Sequence, residues 1–333
     1  MKSVSIVIPC RNEEKYIARC ISSILAQDYP TELLSVFVCD GKSTDKTKEI
    51  IQELSQKNNN IHLLINERQT TPFALNLGIK ASTSNVVIIL GAHSEIYPDY
   101  VSKCIASFGV DDRIACTGGI IENVYENEVS EVIGKAMSSS FGVGNAHFRT
   151  GAKDGFVDTV AFGAYKKEIF DRIQLFDEEL IRNQDDEYNF RITKAGFKIY
   201  LSREIRSKYY VRASFKKLFN QYQQYGYWKV YVNKKHRVIT TIRQLVPLFF
   251  VLFIFIGFIL SFLHLYVLIA YIFGLGMYSV LSLFAANKKA DGMKQLFPIM
   301  KSFLILHFSY GWGYIKGIVD FFVFRKKIKQ EEQ

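Results

Sequence analysis

The segment Ser5–Glu14, with the sequence SIVIPCRNEE, decides the fold because a short apolar run ends abruptly in polar and charged residues. Three more β-branched-rich runs follow, and they predict strands: Val36–Cys39, Ile61–Ile65 and Val86–Leu90. The segments between the runs have helical spacing: Glu14–Ala26, Asp45–Gln56 and Pro72–Ala81. This alternation predicts an α/β fold with a mainly parallel sheet and helices on both faces.

Ligands of such sheets bind beyond the carboxyl ends of the strands. The second run ends in DGKSTD, Asp40–Asp45, where a carboxylate can hydrogen-bond the base or ribose of a nucleotide. We expect Asp40 to be exposed there, although Asp40 and Asp45 can instead cap a turn and the following helix. No GxGxxG or GxxxxGK[ST] motif follows these strands, which disfavours dinucleotide and P-loop sites.

Beyond about residue 110 the alternation becomes irregular. The Gly-rich segments Thr117–Gly119 and Phe141–Asn145 predict functional loops against the sheet. The acidic cluster Asp185–Glu187 predicts the start of a helix that ends near Ala195. The five cysteines form no CxxC pair, so they are interpreted as reduced thiols without a zinc site.

The 333 residues are 49% hydrophobic and 22% charged, which excludes a disordered or collagen-like chain. The formal net charge is +10, and residues 203–243 carry eleven Lys or Arg against one acid, Glu204. Directly afterwards, Leu245–Ala286 contains no Asp, Glu, Lys or Arg. This run is about twice the ~20 residues that one membrane-spanning helix needs. A buried helical hairpin of a soluble protein is the alternative.

The pattern predicts a cytoplasmic domain at 1–202, a basic juxtamembrane segment at 203–243 and a membrane domain at 244–333. Two spans are expected, at about 245–262 and 266–286, with both basic flanks in the cytoplasm. The third apolar stretch, about 296–324, contains Lys301, His307, Lys316 and Asp320, so an interfacial or re-entrant segment is predicted. The predicted location is the inner (cell) membrane, multi-pass. The basic segment should meet anionic lipid rather than nucleic acid.

Together with Asp40–Asp45, the opening SIVIPCRNEE resembles the family-2 glycosyltransferases, which are inverting enzymes of the GT-A fold. Further matches are NLGI (76–79), PDY (98–100), FGVGNAHFR (141–149) and DDEYNFR (185–191). FGVGNAHFR and QYQQYG (221–226) are most similar to the membrane-anchored succinoglycan-biosynthesis subgroup. The resemblance covers nearly the whole chain.

The resemblance implies a nucleotide-sugar site made of Pro9, Arg11, Asn12, Glu13, Asp40, Asp45, Asn76, Gly91 and Ala92. The family takes its metal from a DxD motif after the fourth strand, but here Gly91 stands for the first acid and His93 for the second. His93 is therefore the predicted metal ligand. The predicted cofactor is Mn²⁺ or Mg²⁺, with Mn²⁺ favoured because imidazole suits it better.

The resemblance also implies a general base in an acidic pair six residues before Arg191. That position is Asp185, with Asp186 as the fallback, although acids in a first turn can simply favour the helix dipole. Arg149 and Gln221 are weaker candidates for binding the acceptor or a diphosphate. The rest of the QxxRW motif of processive relatives is absent, which disfavours polymerisation.

The family resemblance and the long uncharged run together imply a membrane-anchored, inverting hexosyltransferase. It would move one sugar from a nucleotide-sugar donor, UDP-linked, to a polyprenyl-diphosphate-linked saccharide in surface polysaccharide biosynthesis. Two alternatives stay open. One is a non-catalytic nucleotide-sugar-binding or scaffold subunit, suggested by Gly91 and Gln184. The other is a membrane protein whose basic segment binds nucleic acid.

Overall fold

The computed structural model describes residues 1–151, 153–211, 214–240, 242–326 and 328. Arg212 of the basic segment and Lys327 after the last apolar stretch lie outside the described residues. The chain forms two compact units. The first contains residues 1–123 and 147–210, and the second contains residues 124–146 and 211–328.

The first unit is built on one mixed sheet. Its strands are β1 (Val4–Cys10), β2 (Leu34–Asp40), β3 (Ile61–Ile65), β4 (Val86–Ile89), β5 (Ser94–Ile96), β6 (Ile114–Val124), β7 (Gly155–Val157), β8 (Ala161–Lys166) and β9 (Lys198–Tyr210). The order is β3-β2-β1-β4-β8-β6-β9-β5, and β7 pairs with β9. Strands β1 to β4 are parallel to one another. Strand β8 is antiparallel to β4 and β6, and β5 is antiparallel to β9.

Thirteen α-helices lie in the described part of the chain. In chain order they are α1 (Ile17–Leu25), α2 (Thr47–Lys57), α3 (Thr71–Ala81), α4 (Tyr100–Ser107), α5 (Glu128–Met137), α6 (Ser140–Val143), α7 (His147–Thr150), α8 (Glu168–Ile173), α9 (Gln184–Lys194), α10 (Phe215–His236), α11 (Val246–Leu260), α12 (Leu265–Asn287) and α13 (Met293–Ile318). A π-helical turn, Val319–Val323, continues α13.

Each face of the sheet has its own apolar core, because successive side chains of a strand point to opposite faces. Ile6 and Ile8 of β1 belong to one core, which also holds residues of α1, α2 and α4. Val7 of the same strand belongs to the other core, with residues of α3, α8 and α9. The predicted α/β class, with helices on both faces, is confirmed.

The second unit is helical. Helices α10 and α13 pack at close range: a Cβ on Gly313 would lie 2.0 Å from the Gln223 carbonyl, and one on Gly226 would lie 2.0 Å from the Tyr310 carbonyl. Only glycine allows such backbone contact. Helix α5 is linked to α13 through Lys135, whose Nζ lies 2.7 Å from Glu131 Oε1 of α5 and 2.6 Å from Gln295 Oε1 of α13.

Two segments of this unit are long and apolar enough to cross a membrane, Ile242–Leu260 and Leu265–Asn287. They contain α11 and α12, and most of their side chains are exposed. The stretch predicted as interfacial forms most of α13, one continuous helix that contains Pro298.

The expectation that the two Gly-rich segments form loops is wrong. Thr117–Gly119 lies within β6. Phe141–Asn145 does not form a loop against the sheet but belongs to the second unit, where it forms α6 and its C-cap. His307 of α13 hydrogen-bonds the Phe141 carbonyl at 2.8 Å, and the ring of Phe141 packs against Phe303. A Cβ on Gly142 would lie 2.3 Å from the Ala136 carbonyl, so this glycine permits tight helix packing.

Candidate functional site

The loops after β1 and β2 are joined by hydrogen bonds. The Asn12 N–H donates to Ser43 Oγ at 2.9 Å, and the Thr44 N–H donates to Asn12 Oδ1 at 2.8 Å. Asn12 has a φ of +56°, a conformation that Asn tolerates better than most residues. These bonds fix the predicted donor-binding loops to each other.

Asp40 is the last residue of β2, and its side chain is fully buried, so the expectation that it is exposed is wrong. One carboxylate oxygen accepts from the Ser43 N–H at 3.1 Å, and the Ser43 hydroxyl also donates to the carboxylate. Burial raises the pKa of the neighbouring Cys10 thiol, which stays protonated and lies 3.9 Å from Asp40 Oδ1. Asp40 therefore holds the turn after β2 in place.

Asp45 accepts hydrogen bonds from the N–H groups of Thr47, at 3.0 Å, and Glu14, at 3.2 Å. Desolvation alone would raise its pKa, but these bonds and the Thr47 hydroxyl lower the pKa below its ordinary value. Asp45 thus stabilises the start of α2 as a carboxylate. Of the other predicted residues in these loops, Pro9 is paired with Cys39 in the sheet, and Arg11 is exposed near Gly41.

The loop after β4 approaches the loop after β1. His93 Nδ1 lies 3.4 Å from Glu13 Oε1, and the two side chains are 23% and 20% exposed. Ala92 is buried, and the Gly91 carbonyl accepts from the Ser94 hydroxyl. A Cβ on Gly91 would lie 3.2 Å from the Phe162 ring, so an acid at this position would require the ring to move.

These side chains can serve a divalent metal that arrives with a diphosphate. The ring nitrogen of a metal-bound histidine that does not bind the metal usually lies next to a carboxylate or another hydrogen-bond acceptor. Here Nδ1 of His93 lies next to the Glu13 carboxylate. Among the described residues no group of three or more His, Cys, Asp and Glu could hold a metal alone. Diphosphate oxygens and water would have to complete the coordination, as is common for Mg²⁺ sites.

Asn76 of α3 is buried, and its side chain hydrogen-bonds the loop before α9. Its amide donates to the Phe176 carbonyl and to Glu178 Oε1, both at 2.9 Å, and its Oδ1 accepts from the Phe176 N–H at 3.0 Å. Asn76 therefore fixes this loop.

Asp185 and Asp186 lie in the first turn of α9, as the sequence predicts. Asp185 is exposed, Asp186 is half-buried, and the Asp186 N–H donates to Asp185 Oδ1 at 2.9 Å. One turn later, Asn189 donates to Thr159 Oγ1 at 3.0 Å. Thr159 precedes β8. Because β8 is antiparallel to β4, the start of β8 lies beside the carboxyl end of β4. This contact ties α9 to the segment next to the carboxyl end of β4.

The third acid of the cluster is structural. Glu187 is buried and forms a two-pronged ion pair with Arg191, at 2.8 and 2.9 Å. Arg191 also donates to the carbonyls of Ile173 and Leu175, at 2.5 and 2.9 Å. The Arg that ends the DDEYNFR motif therefore ties α9 to the same loop that Asn76 holds.

Arg149 reaches the His93 region through a residue that the sequence analysis missed. Its guanidinium lies 5.4 Å from the centre of the Tyr209 ring, and that ring lies 5.4 Å from the His93 imidazole. Tyr209 is near the end of β9, and no local motif marks it. Gln221 belongs to α10 in the second unit, where its amide donates to the Tyr225 hydroxyl at 2.8 Å.

Comparisons with known proteins agree on a family. The family described as "Glycosyl transferase family 2" matches residues 5–174. The chain is 38% identical over 234 residues to a dolichyl N-acetyl-alpha-D-glucosaminyl phosphate 3-beta-D-2,3-diacetamido-2,3-dideoxy-beta-D-glucuronosyltransferase from Methanococcus voltae, covering 68% of this chain and 72% of that protein. It is 28% identical to the succinoglycan biosynthesis protein ExoA of Rhizobium meliloti (strain 1021), covering 73% and 74%.

A solved structure supports the fold. The mannosyltransferase PcManGT from Pyrobaculum calidifontis, in complex with GDP-Man and Mn²⁺, superimposes with a TM-score of 0.61 at 16% identity. The match covers 96% of this chain and 88% of that chain. With the family match over half of the sequence, the conclusion is that this chain belongs to glycosyl transferase family 2 and is a glycosyltransferase.

Proposed function

We propose that this protein is a membrane-anchored, inverting glycosyltransferase that moves one sugar from a UDP-sugar to a lipid-linked saccharide during surface polysaccharide assembly. One observation carries the proposal: the loops after β1, β2 and β4 contact one another through side chains, with Glu13 next to His93 and Asn12 bonded to the β2 loop. These loops lie at the carboxyl ends of parallel strands, where nucleotides bind.

The proposed reaction is a single displacement. Asp185 accepts the proton of the acceptor hydroxyl, whose oxygen bonds to the anomeric carbon while the bond from that carbon to the diphosphate breaks. UDP leaves with the bonding electron pair, and attack from the opposite face inverts the anomeric centre. A divalent cation held by His93 would supply positive charge for the leaving diphosphate. Arg149 adds a permanent positive charge.

The membrane part of the proposal rests on α11 and α12, whose apolar side chains are largely exposed. The Methanococcus voltae relative is named for a dolichyl-linked sugar phosphate, which supports a polyprenyl-diphosphate-linked acceptor here. Helix α13 packs along the lysine-rich α10, which supports an interfacial rather than a spanning position for α13. The Lys and Arg residues around the end of α10 are proposed to bind anionic lipid.

The test is a panel of nucleotide sugars, measured by thermal shift on the full-length protein with Mn²⁺, followed by transfer to a polyprenyl-diphosphate saccharide. We expect stabilisation by a UDP-sugar, since a ligand that binds only the folded state raises Tm. Binding without turnover would support the non-catalytic alternative. No stabilisation by any nucleotide sugar would exclude the proposed donor site.

Asp40→Asn should weaken UDP binding about 10- to 100-fold. The expected loss is that of the proposed hydrogen bond between the Asp40 carboxylate and the nucleoside, because a hydrogen bond to a charged group contributes about 1.5–3 kcal/mol. Since Asp40 is buried and bonded to Ser43, we also expect a lower Tm. Ser43→Ala is the matched control, since it removes the hydroxyl donor and keeps the carboxylate. Isothermal titration with UDP distinguishes nucleotide binding from turn capping. If Asp40→Asn and Ser43→Ala lower Tm equally and the Kd of Asp40→Asn for UDP is unchanged, Asp40 only caps the turn.

Cysteine labelling should reveal the membrane topology. All five native cysteines are buried, so they give little background with a membrane-impermeant maleimide. We expect Leu263→Cys, between α11 and α12, to react in intact cells, and Lys288→Cys to react only after permeabilisation. Arg325→Cys should behave like Lys288→Cys if α13 does not cross. Protection of Leu263→Cys in intact cells would contradict the two proposed spans.

A further inference from the structure

Pairing between strands β5 and β9 places Tyr209 next to His93. β5 begins directly after His93, and its first residue, Ser94, pairs with Tyr209 of β9. The Tyr210 N–H also donates to the His93 carbonyl, at 3.4 Å. The two rings meet at 5.4 Å with an interplanar angle of 63°, an edge arrangement that aromatic rings favour. Only 8% of Tyr209 is exposed, so its position is well defined.

The Tyr209 ring also makes a cation–π contact with Arg149. The guanidinium of Arg149 lies 5.4 Å from its centre and 5.3 Å from the ring of Phe148. Both distances are within the ~6 Å range of a cation–π contact. Arg149 sits in α7, which has only four residues. Contacts with these two rings therefore contribute to fixing where its charge lies.

The other side of the imidazole is held by Glu13, at 3.4 Å from Nδ1. A neutral imidazole coordinates a metal through one nitrogen, so Nε2 is the nitrogen left for a ligand. A guanidinium can bind two diphosphate oxygens at once. The Tyr209 ring thus stands between a candidate metal ligand and a candidate diphosphate ligand, and it contacts both.

We propose that Tyr209 is a positioning residue that holds His93 and Arg149 towards one diphosphate, the leaving group of the donor. The inference rests on the proposed function. Gly91 removes one carboxylate from this region, and the Phe162 ring lies where a side chain at position 91 would extend. The diphosphate is then neutralised by a His-bound metal and a guanidinium, and their spacing depends on one aromatic ring.

The test uses the purified full-length protein in detergent, with Mn²⁺ affinity measured by electron paramagnetic resonance in the presence of UDP. Tyr209→Leu should raise the Kd for Mn²⁺ about 10- to 100-fold, the usual effect of losing an outer-shell partner of a ligand. Tyr209→Phe keeps the ring and should restore the Kd to within about threefold. Phe156→Leu is the matched control because it removes a Lys198 contact at 4.1 Å and a Tyr200 ring contact at 5.8 Å elsewhere in the unit. It should leave the Kd unchanged.

A second measurement isolates the arginine. In chelator, Arg149→Met should weaken UDP binding about tenfold, because its side chain can still pack but has no charge. Tyr209→Leu should weaken metal-free UDP binding similarly, and the double variant should be no worse than either single one, as coupled residues are non-additive. If Tyr209→Leu does not fold, the proposal is tested by Arg149→Met alone. An unchanged Kd of Arg149→Met for UDP in chelator would then overturn the proposal.

The remaining outcomes separate the two proposals. Wild-type binding of UDP, with Tyr209→Leu and Phe156→Leu equal to wild type, would overturn only the role of Tyr209. A Tyr209→Phe variant as weak as Tyr209→Leu would also overturn it, since the hydroxyl would then be responsible. Failure of the wild-type protein to bind UDP at all would instead overturn the proposed function.

Discussion

Asp185→Asn should lower turnover by ~10²–10⁴-fold, the usual contribution of a general base. Asparagine has nearly the same shape as aspartate and can still accept from the Asp186 N–H, which lies 2.9 Å from Asp185 Oδ1. Because it cannot take the proton of the acceptor hydroxyl, kcat should fall while the Kd for the donor changes little. Single-turnover transfer and donor titration measure the two quantities separately.

Asp186→Asn is the matched control, since it changes the next acid in the same helical turn. We expect it to retain most of the activity. The opposite result, with transfer lost only in Asp186→Asn, would assign the base to Asp186. Equal, small losses in both variants would mean that these acids only stabilise the start of α9.

His93→Ala should lower Mn²⁺-dependent transfer by about 10³-fold, since a metal stabilises a departing diphosphate by several kcal/mol. Wild-type protein in chelator should be as slow as the variant in Mn²⁺. His93→Asp should recover activity with a preference shifted towards Mg²⁺, which favours oxygen ligands. Initial rates across a Mn²⁺ and Mg²⁺ series provide the comparison.

His62→Ala serves as the control because His62 is exposed on β3 and stacks on Phe37. It should transfer sugar at the wild-type rate. Full activity of His93→Ala in chelator would show that basic residues alone neutralise the diphosphate, and His93 would then be a packing residue beside Tyr209.

The parts of the fold that could be predicted are those with local signals. Runs of β-branched residues marked β1 to β4 to within a few residues, and the carboxyl-end rule directed attention to the segments that follow these strands, such as the one with Asp40. Glu13 and His93 were named as site residues only because of the family resemblance. Sequence spacing carries no information on antiparallel pairing between distant segments, so Tyr209 was not found. The burial of Asp40 was missed because the Ser43 bonds that satisfy its carboxylate form only in the folded turn.

The helical unit was harder to predict for a related reason. Phe141–Asn145 looks like a flexible loop because two of its five residues are glycine. One of these glycines instead allows close packing, since a Cβ on Gly142 would lie 3.1 Å from the Phe303 ring. A glycine at a helix contact and a glycine in a hinge are the same letter in the sequence.

The second unit is discontinuous, because residues 124–146 belong with residues 211–328. Within the described residues the polypeptide therefore passes between the units three times, at 123/124, 146/147 and 210/211. A fragment ending at residue 210 would keep α5 but lose Gln295 and Asp291, the partners of Lys135. Ile133, Ala136 and Met137, which are buried in the full chain, would be at risk of exposure and aggregation. A water-soluble catalytic fragment would therefore have to omit 124–146 as well as the residues after 210.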